Sequence, residues 1–129
     1  MPKIVPDEVE SLLTSEPLVA HLATSLNGRP HVAPVRYLYA DETVELVTGG
    51  KKLDNIRRNP RVALSVQQDE GGHTEWMVSL LGTATVVDDE AAFEAVTSRI
   101  NEKYDAERAA HPENTLVRIS VGSVTDESY

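Results

Sequence analysis

Short β-forming runs separated by tight-turn dipeptides constrain this chain more than any other feature. Leu18 to Ser25 and His31 to Ala40 are apolar or β-branched. Between them stands Asn27-Gly28, two residues that tolerate positive φ, so the pattern predicts a hairpin. Asp41-Glu42 then precedes Val44 to Thr48, a second reversal at short range. Arg61 to Gln68 puts Val62, Leu64 and Val66 on one face, and Gly71-Gly72 turns the chain into the long run Glu75 to Val87. Within that run Gly82 is placed to allow a sharp bend. Thr115 to Val121 supplies a last strand, and the acidic residues after it predict a frayed end. Pro34 cannot donate a ladder hydrogen bond, so its strand belongs at an edge, a bulge or an opening.

Three helical segments interrupt the strands. Asp7 to Ser15 sets Val9, Leu12 and Leu13 on one stripe, with acidic residues at the end where the helix dipole favours them. Leu53 and Ile56 mark the buried side of a short helix that ends by Asn59-Pro60. After Asp88-Asp89-Glu90, the residues Phe93, Val96, Ile100 and Tyr104 recur at three and four, a stripe suited to packing across a sheet. His111-Pro112-Glu113-Asn114 reads as a loop. With 129 residues, of which 40% are hydrophobic, the chain predicts one domain over residues 1–129, mainly β with flanking helices.

Composition narrows the chemistry. Without cysteine there are no disulfides, thiolate metal sites or cysteine nucleophiles, and His21, His31, His73 and His111 are too scattered in sequence to suggest a metal cluster. A formal net charge of -9 argues against nucleic acid, which needs a broad basic surface. No apolar run approaches the roughly 20 residues of a membrane helix, and the first residues lack a signal-peptide core, so the expectation is a cytoplasmic protein that does not cross a membrane. Four lysines against 21 carboxylates fit a high-salt host and equally an ordinary acidic protein.

One stretch runs against this acidity. Lys51, Lys52, Arg57, Arg58 and Arg61 are five of the chain's twelve basic residues, and Asp54 is the one acid among them. Gly49-Gly50 before a helix lets backbone N–H groups approach an anion, and Lys51 and Lys52 add charge at the same end, which points to a phosphate. The Walker spacing and the dinucleotide fingerprint are both absent. Arg57 and Arg58 read as a solvated helix face.

The ordered set His21-Leu22-Ala23-Thr24, Gly28-Arg29-Pro30-His31-Val32 with Pro34-Val35, Thr48 followed by Lys52, Asn55-Ile56, Asn59-Pro60-Arg61-Val62 and Gly82-Thr83-Ala84 resembles the pyridoxamine-phosphate-oxidase-like flavin-binding split barrels. That family also includes proteins that bind the deazaflavin coenzyme F-420. The resemblance implies a six-stranded antiparallel split β-barrel of Greek-key type, with cofactor sites at a homodimer interface. By position Lys51 and Lys52 match the basic pair near the cofactor phosphate, and Val47-Thr48 match the strand end that carries a hydroxyl. Ala33, Pro34, Val35 and Arg36 match the strand beside the ring system and ribityl chain.

The resemblance thus implies FMN and hydride or electron transfer to a small-molecule substrate. Vitamin B6 is not the expected substrate, because the sequence stops short of the C-terminal region of true pyridoxamine-phosphate oxidases. Two alternatives stand beside this reading. One is a reductase dependent on coenzyme F-420, with Arg36, Arg57 or Arg58 meeting that cofactor's acidic tail. The other is a module that binds flavin or haem without turnover. His21 and His31 read as structural or exposed, Tyr37 and Tyr39 as packing residues, and Trp76 equally as core filler or as a ligand-stacking or dimer-anchoring residue; Met77 or Trp76 stands where the oxidases place polar cofactor contacts.

Overall fold

The computed structural model describes residues 3–106 and 114–129. Its elements, in chain order, are α1 (Asp7–Leu13), β1 (Ala20–Leu26), β2 (Arg29–Val35), β3 (Leu38–Ala40), β4 (Thr43–Thr48), α2 (Gly50–Arg58), β5 (Arg61–Glu70), β6 (His73–Val87), α3 (Glu90–Lys103) and β7 (Thr115–Ser128). The predicted hairpin is β1–β2, and both turn residues are left-handed, Asn27 at φ 53° and Gly28 at φ 77°. Of the expected loop His111-Pro112-Glu113-Asn114, all but Asn114 lies outside the described residues.

All strands join one antiparallel sheet in the order β2-β1-β5-β6-β7-β4-β3. β5, β6 and β7 follow one another and β4 lies beside β7, a Greek-key connection. β2 and β3 stand at opposite edges, yet only Arg36 and Tyr37 separate them in sequence. Three Cα steps reach at most about 11 Å, whereas six strand spacings in a flat sheet span about 29 Å. The sheet must therefore roll until the facing ends of its edge strands lie within that reach, a barrel split along the unpaired β2/β3 seam.

Two expectations need correction. The sheet has seven strands, not six, because the run His31 to Ala40 breaks at Arg36-Tyr37: Tyr37 is buried, and its hydroxyl donates to the Leu13 carbonyl at 2.6 Å instead of the residue continuing the strand. The acidic end does not fray. β7 runs on to Ser128, pairing Ser123–Ser128 with Leu81–Trp76, after a register shift at Leu81/Gly82 that leaves Gly122 as the extra residue. Gly82 is required there, since a Cβ would stand 2.6 Å from the Ser120 carbonyl oxygen and 2.7 Å from Ile119.

Alternate residues of β1, β4, β5 and β6 fill the barrel, with Leu22, Leu46, Leu64 and Leu80 fully buried. α1 closes one end with Val9 and Leu13. α3, capped by Asp89, whose carboxylate accepts the Ala92 N–H at 3.1 Å, packs Val96 and Ile100 on Leu116 as its stripe predicts.

The seam itself is clasped from the end of α3. The Tyr104 hydroxyl accepts the Tyr37 N–H at 3.1 Å and donates to the Leu18 carbonyl at 2.6 Å. The Lys103 ammonium donates to the Tyr37 carbonyl at 2.8 Å. Backbone groups that the ladder leaves unpaired at Tyr37 thus find partners in side chains. No helix among the described residues is long and apolar enough to cross a membrane.

Candidate functional site

β4 ends at the buried Thr48, and the chain turns through Gly49 into α2. Gly50 holds φ +62°, a left-handed conformation that strains any residue with a Cβ. No side chain caps the helix start, so the first-turn N–H groups are free of side-chain partners. Lys51 is exposed and Lys52 half-buried beside them. None of Lys51, Lys52, Arg57, Arg58 and Arg61 forms an ion pair among the described residues. An uncapped helix start with two unpaired ammonium groups attracts an anion by dipole and by charge.

α2 is fixed to the barrel by more than its apolar face. Leu53 and Ile56 are buried, as their spacing predicts, and between them Asn55 is 1% exposed. The Asn55 amide donates to the Thr24 hydroxyl at 3.0 Å, and the Asn59 amide donates to the carbonyl and hydroxyl oxygens of Ser25, both at 3.2 Å. Asn55 and Thr24 carry this attachment although sequence reasoning gave neither a role. An amide beside the apolar pair Leu53 and Ile56 was the available signal.

The same strand, β1, pairs with β2 on its far side, Leu22 opposite Ala33 and His21 opposite Pro34. The two groups of expected site residues therefore lie on elements that both adjoin β1. Val47, Thr48, Lys51 and Lys52 are contiguous at the β4–α2 junction. Val47 faces the cluster beneath α3, so its backbone is what it can present to a ligand. Ala33 and Val35 face inward on the edge strand with Leu22 and Ala20, and Pro34 faces out. Arg36, past the strand's end, is exposed, its guanidinium 5.5 Å from the Tyr104 ring centroid.

The remaining candidates divide between core and surface. Trp76 is buried in the core, with its indole N–H donating to Gln68 at 3.0 Å. Tyr37 and Tyr39 are core residues too, and burial pushes both phenols above their ordinary range. His21 is exposed. His31 faces inward opposite Thr24, and its Nδ1, like the Asn55 Oδ1, is buried without a hydrogen-bond partner among the described residues.

On the outer face, Val32, Ala23, Ala63 and Leu81 stand directly opposite one another across β2, β1, β5 and β6. Val32 is 65% and Leu81 58% exposed, so the row is an apolar stripe in water. A groove of about 520 Å³ runs along it, with Arg61 and Thr83 among the residues at its margin.

Comparison with known proteins bears on this geometry. The family model for pyridoxamine 5'-phosphate oxidase matches residues 5–126. A FAD-binding protein from Mesorhizobium loti is 25% identical, with a TM-score of 0.76 over 92% of this chain and 91% of that one. A conserved hypothetical protein from Mycobacterium tuberculosis is 25% identical, with a TM-score of 0.79 over 99% and 88%. An F420 reductase, 24% identical, shares the fold with a TM-score of 0.72 over 89% and 94%. A search of curated proteins finds no significant match.

Proposed function

Because the chain belongs to the pyridoxamine 5'-phosphate oxidase family, we propose that it is a flavin-dependent oxidoreductase that holds the phosphate of FMN with Lys51, Lys52 and the Thr48 hydroxyl. The observation that carries this reading is the unpaired positive charge at the uncapped start of α2, in a chain of net charge -9. A bound flavin supplies the hydride or electron transfer.

The chain's own groups then position and shield. Asn55 and Asn59 anchor α2 to β1, which keeps the ammonium groups aimed at one place. β2, as an edge strand, has backbone groups free of ladder partners that are suited to the ring system and ribityl chain beside Ala33, Pro34 and Val35. Arg36 meets the negative charge of a small-molecule substrate. A second copy of the chain covers the apolar stripe through Val32 and Leu81 and completes the site as a homodimer.

Titration of the protein with FMN and with coenzyme F-420, followed by absorbance, tests the reading. FMN binding that weakens in Lys52→Ala supports it, and reduction of the bound flavin by a nicotinamide donor separates an oxidoreductase from a binding module. Binding of F-420 alone replaces FMN with the deazaflavin. Failure to bind either cofactor overturns the proposal.

A further inference from the structure

Lys103 is a cation held between two aromatic rings with no acid paired to it among the described residues. Its Nζ lies 3.9 Å from the Tyr37 ring centroid and 5.1 Å from that of Tyr104, and it spends one N–H on the Tyr37 carbonyl. It forms no ion pair among the described residues. The side chain also lines a cavity of about 270 Å³ between α1, β3 and the end of α3.

Most of the cavity's other polar groups have partners of their own, and one oxygen of the exposed Glu16 carboxylate stays free among the described residues. The Thr14 hydroxyl donates to the Glu10 carbonyl at 2.9 Å and the Ser15 hydroxyl to the Leu12 carbonyl at 2.8 Å. The Glu16 carboxylate accepts from Gln68 at 3.2 Å, and the Tyr39 hydroxyl donates to Glu10 at 2.7 Å. Pro17 and Leu38 supply apolar wall. Besides these groups a ligand meets the Lys103 nitrogen, which in its neutral form has a lone pair and one N–H unspent, in a space too small for a drug-sized molecule.

We propose that Lys103 is a carbonyl-capture site, at which its side-chain amine condenses reversibly with a small aliphatic aldehyde that enters this cavity. The nitrogen lone pair forms a bond to the carbonyl carbon, and the C=O electron pair moves to oxygen, which takes a proton. One N–H proton leaves the nitrogen, a second proton from solvent converts the hydroxyl to water, and its departure as the nitrogen lone pair forms C=N leaves the protonated imine; hydrolysis reverses the sequence with no oxidant or reductant. The protonated imine keeps one N–H, enough for the bond to the Tyr37 carbonyl, and its positive charge stays on the Tyr37 ring face.

Burial lowers the Lys103 pKa to about 8. About a tenth of such amines are neutral at pH 7, against about one in a few thousand for an ordinary lysine. Desolvated lysines with uncharged amines are the ones that form Schiff bases.

The test is reductive trapping with propanal and cyanoborohydride at pH 7 on the intact protein, followed by peptide mapping. With only Lys3, Lys51, Lys52 and Lys103 to compare, the expected result is propylation of Lys103 at least about tenfold faster than the other three. That preference disappears in urea. Lys103→Arg, which retains a donor for the Tyr37 carbonyl, removes the fast adduct. Labelling of Lys103 no faster than Lys51 or Lys52 in the folded protein overturns the proposal, and this reading needs no variant that folds.

Discussion

The Tyr104 hydroxyl accepts the backbone N–H of Tyr37 at 3.1 Å across 67 residues of sequence. It joins the last turn of α3 to the two-residue link between the sheet's edges, and by donating to Leu18 it also fixes the approach to β1. Tyr104→Phe leaves the Tyr37 N–H and the Leu18 carbonyl without this partner. The expected loss is about 1–3 kcal/mol, read as a lower urea midpoint with an unchanged slope. Flavin affinity falls less than it does on replacing a lysine of α2.

Stability near the seam depends on pH through Lys103. Its folded pKa of about 8 lies below the ordinary 10.5, so between these values the unfolded chain binds more protons and raising the pH favours the fold. Below pH 8 both states are protonated and the full cost of burying the charge is present. The charged and titratable neighbours act elsewhere: Tyr37 and Tyr104, both pushed up from 10.0 mainly by burial, oppose folding above that pH, while Arg36 lies over Tyr104 and Glu16 lines the same cavity. The melting temperature is expected to climb from pH 8 toward 10 and then decline. Lys103→Met flattens the climb; an unchanged profile contradicts the assignment.

Replacing both Lys51 and Lys52 with alanine is expected to weaken FMN binding by at least about 10- to 100-fold, the range for a single charge-assisted hydrogen bond to phosphate. Riboflavin, which lacks the phosphate, binds both proteins alike. Added salt narrows the difference, because the two lysines are at least partly solvent-exposed. Equal losses for FMN and riboflavin would place the lysines away from the phosphate.

Leu81→Glu sets a carboxylate at the β6 end of the apolar row through Val32, Ala23 and Ala63. Sedimentation is expected to find a dimer for the unaltered chain and a monomer for the variant, with flavin affinity lost in parallel. The side chain is already 58% exposed, so the fold itself tolerates the change. A variant that remains dimeric directs attention to another face.

Local signals in the sequence carried far. Positive φ at Asn27 and Gly28, the stripe of α3 and the end of α2 before Pro60 are each set by neighbours within a few residues. The strand break at Arg36-Tyr37 was hidden because its causes lie elsewhere in the chain, at Leu13, Lys103 and Tyr104. β7 was cut short for a related reason: an acidic segment without an apolar run pairs through backbone, and its partner lies across the Gly82 bulge. At the proposed site, Lys51 and Lys52 stood out as a charge anomaly beside glycines, and Thr48 through the family resemblance alone. Lys103 was not, since a lysine next to the last stripe residue of a helix looks like any solvated charge until the fold encloses it.

An incompletely closed barrel retains two strand edges, and such edges invite other chains to add to them. Here β2 carries Pro30 and Pro34, which remove two donors from its margin, and β3 is only three residues long. Neither makes a good template for polymerisation. The protein can keep a slot open in its wall without becoming a seed for aggregates.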